Sequence, residues 1–98
     1  MWKLLLTLAI GSGLFFTTFA YAGEISGNVK YSDGSNCSGC KVSASINSGG
    51  ITEPTYTNSR GDFTLKWSSN NWIAKLFVNG KTVKRDIKPG EHVNITVN

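Results

Sequence analysis

Most of the chain alternates apolar with polar residues, a period of two that is typical of β-strands with one buried face. Over residues 25–31 the odd positions carry Ile, Gly, Val and Tyr, whereas the even positions are polar. The pattern predicts further strands over residues 42–46, 55–57, 63–67, 81–87 and 93–97. Pro54 marks either the start of the short third strand or a position at the edge of a sheet.

One segment departs from alternation. The run from Trp72 to Val78 is apolar except at Lys75, which predicts a buried strand covered on both faces. Asn79-Gly80 follows it, and Asn-Gly between two strands favours a type I′ hairpin turn. Other turn signals are Asp33-Gly34, Gly49-Gly50, residues 58–62 and Pro89-Gly90. Seven short strands without a helix predict an all-β, Greek-key β-sandwich.

The N-terminus has the features of a secretory signal peptide. Lys3 supplies a positive charge, residues 4–19 carry no charge, and Ala20-Tyr21-Ala22 provides a small-x-small cleavage pattern. An uncleaved membrane anchor is the alternative, but Gly, Ser and Thr residues interrupt the apolar run. We therefore predict a signal peptide over residues 1–22, a mature domain over residues 23–98 without a membrane span, and a secreted or periplasmic location.

Composition restricts the function classes that remain. Cleavage leaves 76 of the 98 residues, which is room for one domain, and removal of Lys3 reduces the net charge from +4 to +3. The basic residues cluster only over residues 81–88, which is too little for a nucleic-acid-binding stripe. One His and few carboxylates provide no catalytic constellation and no metal or cofactor site, so we expect a protein that is not an enzyme.

Cys37 and Cys40 are the only cysteines and lie three residues apart. In an exported protein this pair predicts a structural disulfide that pins the loop between the first two strands. Two alternatives stay open. A Cys-x-x-Cys pair can be redox-active, although such pairs usually lie at a helix N-terminus. It can also bind a metal, but two further ligands would be needed and His92 is the only histidine.

The order of these features resembles the carboxypeptidase regulatory-like domain, a transthyretin-like β-sandwich related to Cna-B repeats. The segments that carry the resemblance are residues 25–29 with Gly before Val, residues 40–44, residues 57–65 and the pair Pro89-Gly90. The resemblance spans nearly the whole mature chain. It implies a module without catalytic residues of its own that accompanies an enzyme, a transporter or a surface protein.

The central turn of this resemblance has a physical explanation. Gly61 can adopt the left-handed conformation that a tight turn needs. The side chain of Asn58, where the family pattern usually has Asp, can accept hydrogen bonds from the turn backbone. Phe63 then points into the core. Asn58, Gly61, Phe63, Asn79 and Gly80 are therefore predicted structural turn residues.

Two functional hypotheses follow. In the first, the module binds another envelope or extracellular protein in an accessory, structural or inhibitor-like role, and Lys81, Lys84 and Arg85 on a strand edge are the candidate contacts. In the alternative, it is a small carbohydrate-binding module that uses exposed aromatic residues near Trp72. Strand parity places Trp67 in the core with Phe63, which leaves Trp72 as the candidate sugar contact.

Overall fold

The computed structural model describes residues 22–98, so the predicted signal peptide lies outside the described residues apart from Ala22. The prediction of an all-β domain with seven strands is confirmed, and residues 22–98 contain no helix. The strands are β1 (Gly23–Tyr31), β2 (Lys41–Ile46), β3 (Thr55–Tyr56), β4 (Asp62–Trp67), β5 (Ile73–Val78), β6 (Lys81–Ile87) and β7 (His92–Val97). Nothing in this part of the chain has the length and apolar character of a membrane-crossing helix.

The strands form two sheets that pack face to face. One sheet has three strands in the order β4-β1-β7, in which β1 is antiparallel to β4 and parallel to β7. The other has four strands in the order β3-β2-β5-β6, with antiparallel pairing throughout. Strand β6 is therefore an edge of the four-stranded sheet, and β7 is an edge of the three-stranded sheet.

The core lies between the sheets and is formed by the apolar positions of the alternating strands. Its largest fully buried side chains are Ile25, Leu65, Ile73, Leu76, Ile87, Val29 and Val42, together with Cys37. In β1, β4 and β7 burial follows the predicted alternation, so every second residue faces solvent. This arrangement leaves two outer sheet faces whose side chains are available for contacts.

The prediction that β5 is covered on both faces is wrong. Lys75 is exposed and Phe77 is half-buried, whereas Ile73, Leu76 and Val78 are buried. The register against β2 shifts between Ser45 and Ile46, so that β5 contains one extra residue. A bulge of this kind exchanges the buried and exposed parity along the strand. The unbroken apolar run therefore does not mean that both faces are buried. The bulge moves the buried positions by one residue along the sequence, and one face of β5 is buried throughout.

The Asn79-Gly80 turn joins β5 to β6. Both residues have positive φ, 51° for Asn79 and 85° for Gly80, which are the values that a type I′ turn requires. The side-chain Oδ1 of Asn79 also accepts a hydrogen bond of 2.9 Å from the backbone N–H of Lys41. The turn thus holds the β5–β6 hairpin and fastens it to the start of β2.

Candidate functional site

Charge is distributed unequally between the two sheets. The strands of the four-stranded sheet carry five cationic residues and one acid, a net charge of +4: Lys41, Lys75, Lys81, Lys84 and Arg85 against Asp86. The strands of the three-stranded sheet carry two of each sign and no net charge: Lys30 and Lys66 against Glu24 and Asp62. Lys41, Lys75 and Arg85 are on the outer face of this sheet, whereas Lys81 and Lys84 are opposite the buried Val78 and Leu76 and are exposed at its free edge. We call the outer face and this edge, with their five cations, the basic face.

The predicted contact residues Lys81, Lys84 and Arg85 all lie on the edge strand β6 and are exposed. Strand β6 pairs only with β5, so its other edge borders no strand of the four-stranded sheet. The register also shows a bulge at Val83, since Leu76 and Phe77 of β5 lie opposite Lys84 and Thr82. Lysines and a bulge are common protection against uncontrolled edge pairing. These features therefore disfavour the addition of a regular strand at β6, whose side chains remain exposed.

Lys75 is a further member of the basic face, and sequence reasoning did not single it out. It lies directly opposite Arg85 on β6 and Ser45 on β2, so these three residues form one row across three strands. The next row contains Ser43, Phe77 and Thr82. Lys75 is isolated in an apolar stretch of the sequence, and only the pairing of the strands brings it beside Arg85.

The cations of the basic face make no ion pair with any residue of the described part of the chain. Exposed cations without partners are well hydrated, and they remain available to an external anion. Asp86 is the only acid on these strands, and it has a positive φ of 57° where β6 departs from regular geometry. The basic face therefore presents positive charge that the described chain does not neutralise.

The opposite sheet shows a contrasting arrangement around Asp62. Asn28 Nδ2 donates to Asp62 Oδ1 at 2.8 Å, and Arg60 Nε lies 3.2 Å from Asp62 Oδ2. The hydrogen bond from Asn28, and then that from Arg60, lowers the pKa of the Asp62 carboxyl below its usual value. This acid is thus kept ionised and is already bonded within the domain, so this surface has less unbalanced charge to offer.

Cys37 and Cys40 form a disulfide whose two residues are buried, at 0% and 3% exposure. The buried Thr57 holds this loop, because its hydroxyl donates to the carbonyl of Cys37 and accepts a 2.8 Å hydrogen bond from the N–H of Cys40. Its backbone N–H also donates to the Cys40 carbonyl at 3.0 Å. Thiol exchange requires access of an attacking thiolate to sulfur. Burial of both residues therefore favours a structural staple over a redox pair.

The central turn is organised by one side chain. Oδ1 of Asn58 accepts hydrogen bonds from the backbone N–H groups of Arg60 at 2.9 Å and Asp62 at 3.0 Å. Gly61 has a φ of 83°, and its carbonyl accepts a 2.8 Å hydrogen bond from Val29 of β1. Phe63 follows as a buried core residue. The turn therefore sets the start of β4 against the middle of β1.

The two tryptophans beside the 68–71 loop have different environments. Trp67 is 6% exposed, and its indole N–H donates to the carbonyl of Asn71 at 3.0 Å. Trp72 is 45% exposed and precedes β5, where its carbonyl accepts a 3.0 Å hydrogen bond from Asn47. Tyr56 is 60% exposed on β3, opposite Lys41. Trp72 and Tyr56 are thus much more exposed than Trp67.

A groove of about 420 Å³ lies beside the edge of β6. Its lining includes Val83, Val97 and Tyr31 together with Lys81 and Thr82. Val83 and Val97 pack against the core while remaining partly exposed. The groove thus combines partly exposed apolar side chains with one cation of β6, Lys81.

His92 is exposed at the start of β7, and one of its ring nitrogens, Nδ1, lies 2.9 Å from the hydroxyl of Ser26. Over residues 22–98, no group of three or more His, Cys, Asp and Glu side chains is placed to hold a metal ion. Comparison with protein-family models, curated proteins and solved structures gave no match for the chain.

Proposed function

We propose that residues 23–98 form an exported, non-catalytic β-sandwich that binds an acidic protein of the envelope or the extracellular space through the basic face. The observation that carries the proposal is the unequal charge of the two sheets, +4 on the four-stranded sheet against zero on the other. Complementary charge steers association and selects partners. The role is accessory, structural or inhibitor-like, according to the chemistry of the partner.

The proposed fold family is the transthyretin-like, Greek-key sandwich of the carboxypeptidase regulatory-like domain. Sheets of three and four strands support this assignment, as does a central turn in which Asn58 bonds the backbone and Gly61 has positive φ. Modules of this kind present binding surfaces on a rigid scaffold. The assignment agrees with a binding function without catalytic residues.

The proposed location is outside the cytoplasm, after cleavage following Ala22. The pattern of residues 1–22 supports export, and a buried disulfide suits an oxidising compartment. The described residues have no helix suited to crossing a membrane. A domain of 76 residues has a small core, so a staple is of use there.

Affinity capture tests the proposal directly. The full chain, tagged at its C-terminus and produced in its native host, is crosslinked lightly and recovered from the envelope or the medium. We expect one stoichiometric protein partner with an acidic surface. Recovery of the chain alone, under conditions that preserve envelope complexes, would contradict a protein-binding function.

Charge reversal on β6 tests the assigned surface. Lys84→Glu with Arg85→Glu is expected to weaken partner binding at least about tenfold, because attraction becomes repulsion and 1.4 kcal/mol equals one order of magnitude. Titration calorimetry at low ionic strength measures the effect. Lys30→Glu with Lys66→Glu makes the same change of charge on the three-stranded sheet and should alter the affinity far less. Equal losses in both double variants would remove β6 as the binding surface.

A carbohydrate-binding function is the second candidate, and the 45% exposure of Trp72 is the observation that favours it. An exposed indole offers a flat apolar surface on which a sugar ring can stack. Under this alternative Trp72→Ala abolishes binding in a glycan array while the circular dichroism spectrum stays unchanged. Tyr56→Ala removes another exposed aromatic ring and serves as the control. An unchanged glycan profile in Trp72→Ala rules the alternative out.

A further inference from the structure

The basic face contains a pair of like charges that the fold places side by side. Lys75 and Arg85 are directly opposite on neighbouring strands, and both are exposed. Side chains in such positions start only about 5 Å apart at Cβ, and like charges there destabilise a sheet. Neither cation has an acidic partner among the described residues. The arrangement is unfavourable for the free domain and becomes favourable when an anion lies between the two cations.

The three-stranded sheet provides a matched comparison. Lys66 occupies an outward position on the edge strand β4, and Glu24 of β1 lies directly opposite it. There the cross-strand partner has the opposite charge, which stabilises a sheet. Both lysines are exposed and point outward, but the charge across the strand has opposite signs, and Lys75 also has a second neighbouring strand. Lys66 is therefore the control for the loss of one exposed lysine charge.

We propose that Ser45, Lys75 and Arg85 form a carboxylate-binding centre that receives an Asp or Glu side chain of the partner protein. This inference rests on the proposed function and names the chemistry of its central contact. The guanidinium of Arg85 can bind a carboxylate through two parallel N–H donors, and Lys75 adds a second cation. Ser45, half-buried beside Lys75 in the same row, provides a hydroxyl donor.

A protein carboxylate fits this row better than an acidic polysaccharide. The aromatic residue in the adjoining row is Phe77, which is half-buried between Ser43 and Thr82 and so offers little of its ring for stacking. The exposed Trp72 lies before β5, on the far side of the bulge in that strand. The row instead ends at Arg85 on the edge strand β6, two residues along that strand from Val83, which lines the groove. An acidic segment with an adjacent apolar side chain can contact both features.

The stability of the free protein gives the first test. Lys75→Gln removes the like-charge pair and is expected to raise the melting temperature by about 1–5 °C at low ionic strength. The gain should shrink in high salt, because salt screens exposed charges. Lys66→Gln loses an opposite-charge pair, so its melting temperature should stay the same or fall. A lower melting temperature for Lys75→Gln would overturn the proposed repulsion.

Binding gives the second test, with poly-L-glutamate as the probe. The wild-type chain should bind it at least about tenfold more tightly than Lys75→Gln, as expected for the loss of a charge-assisted contact. Lys75→Arg keeps the charge and should retain most of the affinity, and Lys66→Gln should behave like the wild type. Equal affinity of the wild type and Lys75→Gln would overturn the centre, and so would tighter binding of polygalacturonate than of poly-L-glutamate.

The captured partner separates this inference from the proposed function. If a protein partner binds Lys75→Gln as tightly as the wild type, the carboxylate centre is wrong and the protein-binding function stands. If capture recovers no protein partner, the proposed function fails, whatever the polymers show. Loss of partner binding in Lys75→Gln, together with a raised melting temperature, supports both the carboxylate centre and the protein-binding function.

Discussion

Replacing Gly61 with alanine is expected to destabilise the domain by about 2–5 kcal/mol. Gly61 has a φ of 83°, and the left-handed conformation costs a residue with a Cβ about 1–2 kcal/mol. An added Cβ would also collide with the carbonyl oxygen of Val29, which belongs to the strand that β4 must pair with. Forcing such strands apart costs about 1–3 kcal/mol more. A domain of 76 residues has only about 4–11 kcal/mol in total.

Gly34→Ala is the matched control for this variant. Gly34 has a similar φ of 91°, but an added Cβ would meet no atom within 4 Å. It should therefore lose only the conformational part, about 1–2 kcal/mol. Urea unfolding of both variants measures the difference. Equal losses would show that the contact with Val29 adds nothing to the requirement for glycine.

Replacing Thr57 with valine is the second change with a large expected effect. Valine preserves the shape of the side chain but removes the hydroxyl that bonds the Cys37 carbonyl and the Cys40 N–H. Both groups would then be left without this partner in a buried site, at a cost of about 1–3 kcal/mol each. Each kcal/mol lowers the melting temperature of a domain of this size by about 4–8 °C. Differential scanning calorimetry of the oxidised protein measures the loss.

Thr57→Ser separates the hydroxyl from the methyl group. Serine keeps the hydroxyl and loses one buried methyl, so it should retain most of the stability that Thr57→Val loses. The disulfide stays intact in both variants, and a thiol assay verifies this before unfolding. If valine is tolerated as well as serine, the Thr57 hydroxyl is not what holds the Cys37–Cys40 loop.

Much of the fold could be predicted from the sequence because the domain has one buried face per strand. The strands over residues 23–31, 62–67 and 92–97 follow the alternation to within two residues. The Asn79-Gly80 turn was equally accessible, since few sequences suit positive φ at two successive positions. β5 could not be predicted correctly, because its bulge against β2 depends on pairing between strands distant in the chain.

The candidate site could be predicted from the sequence only in part. Lys81, Lys84 and Arg85 stand together in the sequence, so their cluster was visible before the strands were paired. Lys75 lies in an apolar run, ten residues from Arg85, and alternation says nothing about which residues face each other across two strands. Thr57 was likewise unremarked as a support for the cysteines, since it lies 17 and 20 residues from them.

The class of the fold, the number of strands, the tight turns and the pairing of two nearby cysteines could all be predicted from the residues alone. The first three depend on local conformational preference or on the period of side chains along one strand. The cysteine pairing follows from the presence of two cysteines, three residues apart, in a chain predicted to be exported. Apart from the Asn79-Gly80 hairpin, the neighbours of each strand are known only from the folded domain, and so is the collection of cations on one sheet while acids balance them on the other. Charge segregation depends on strand order and register, which are set by the packing of the whole core.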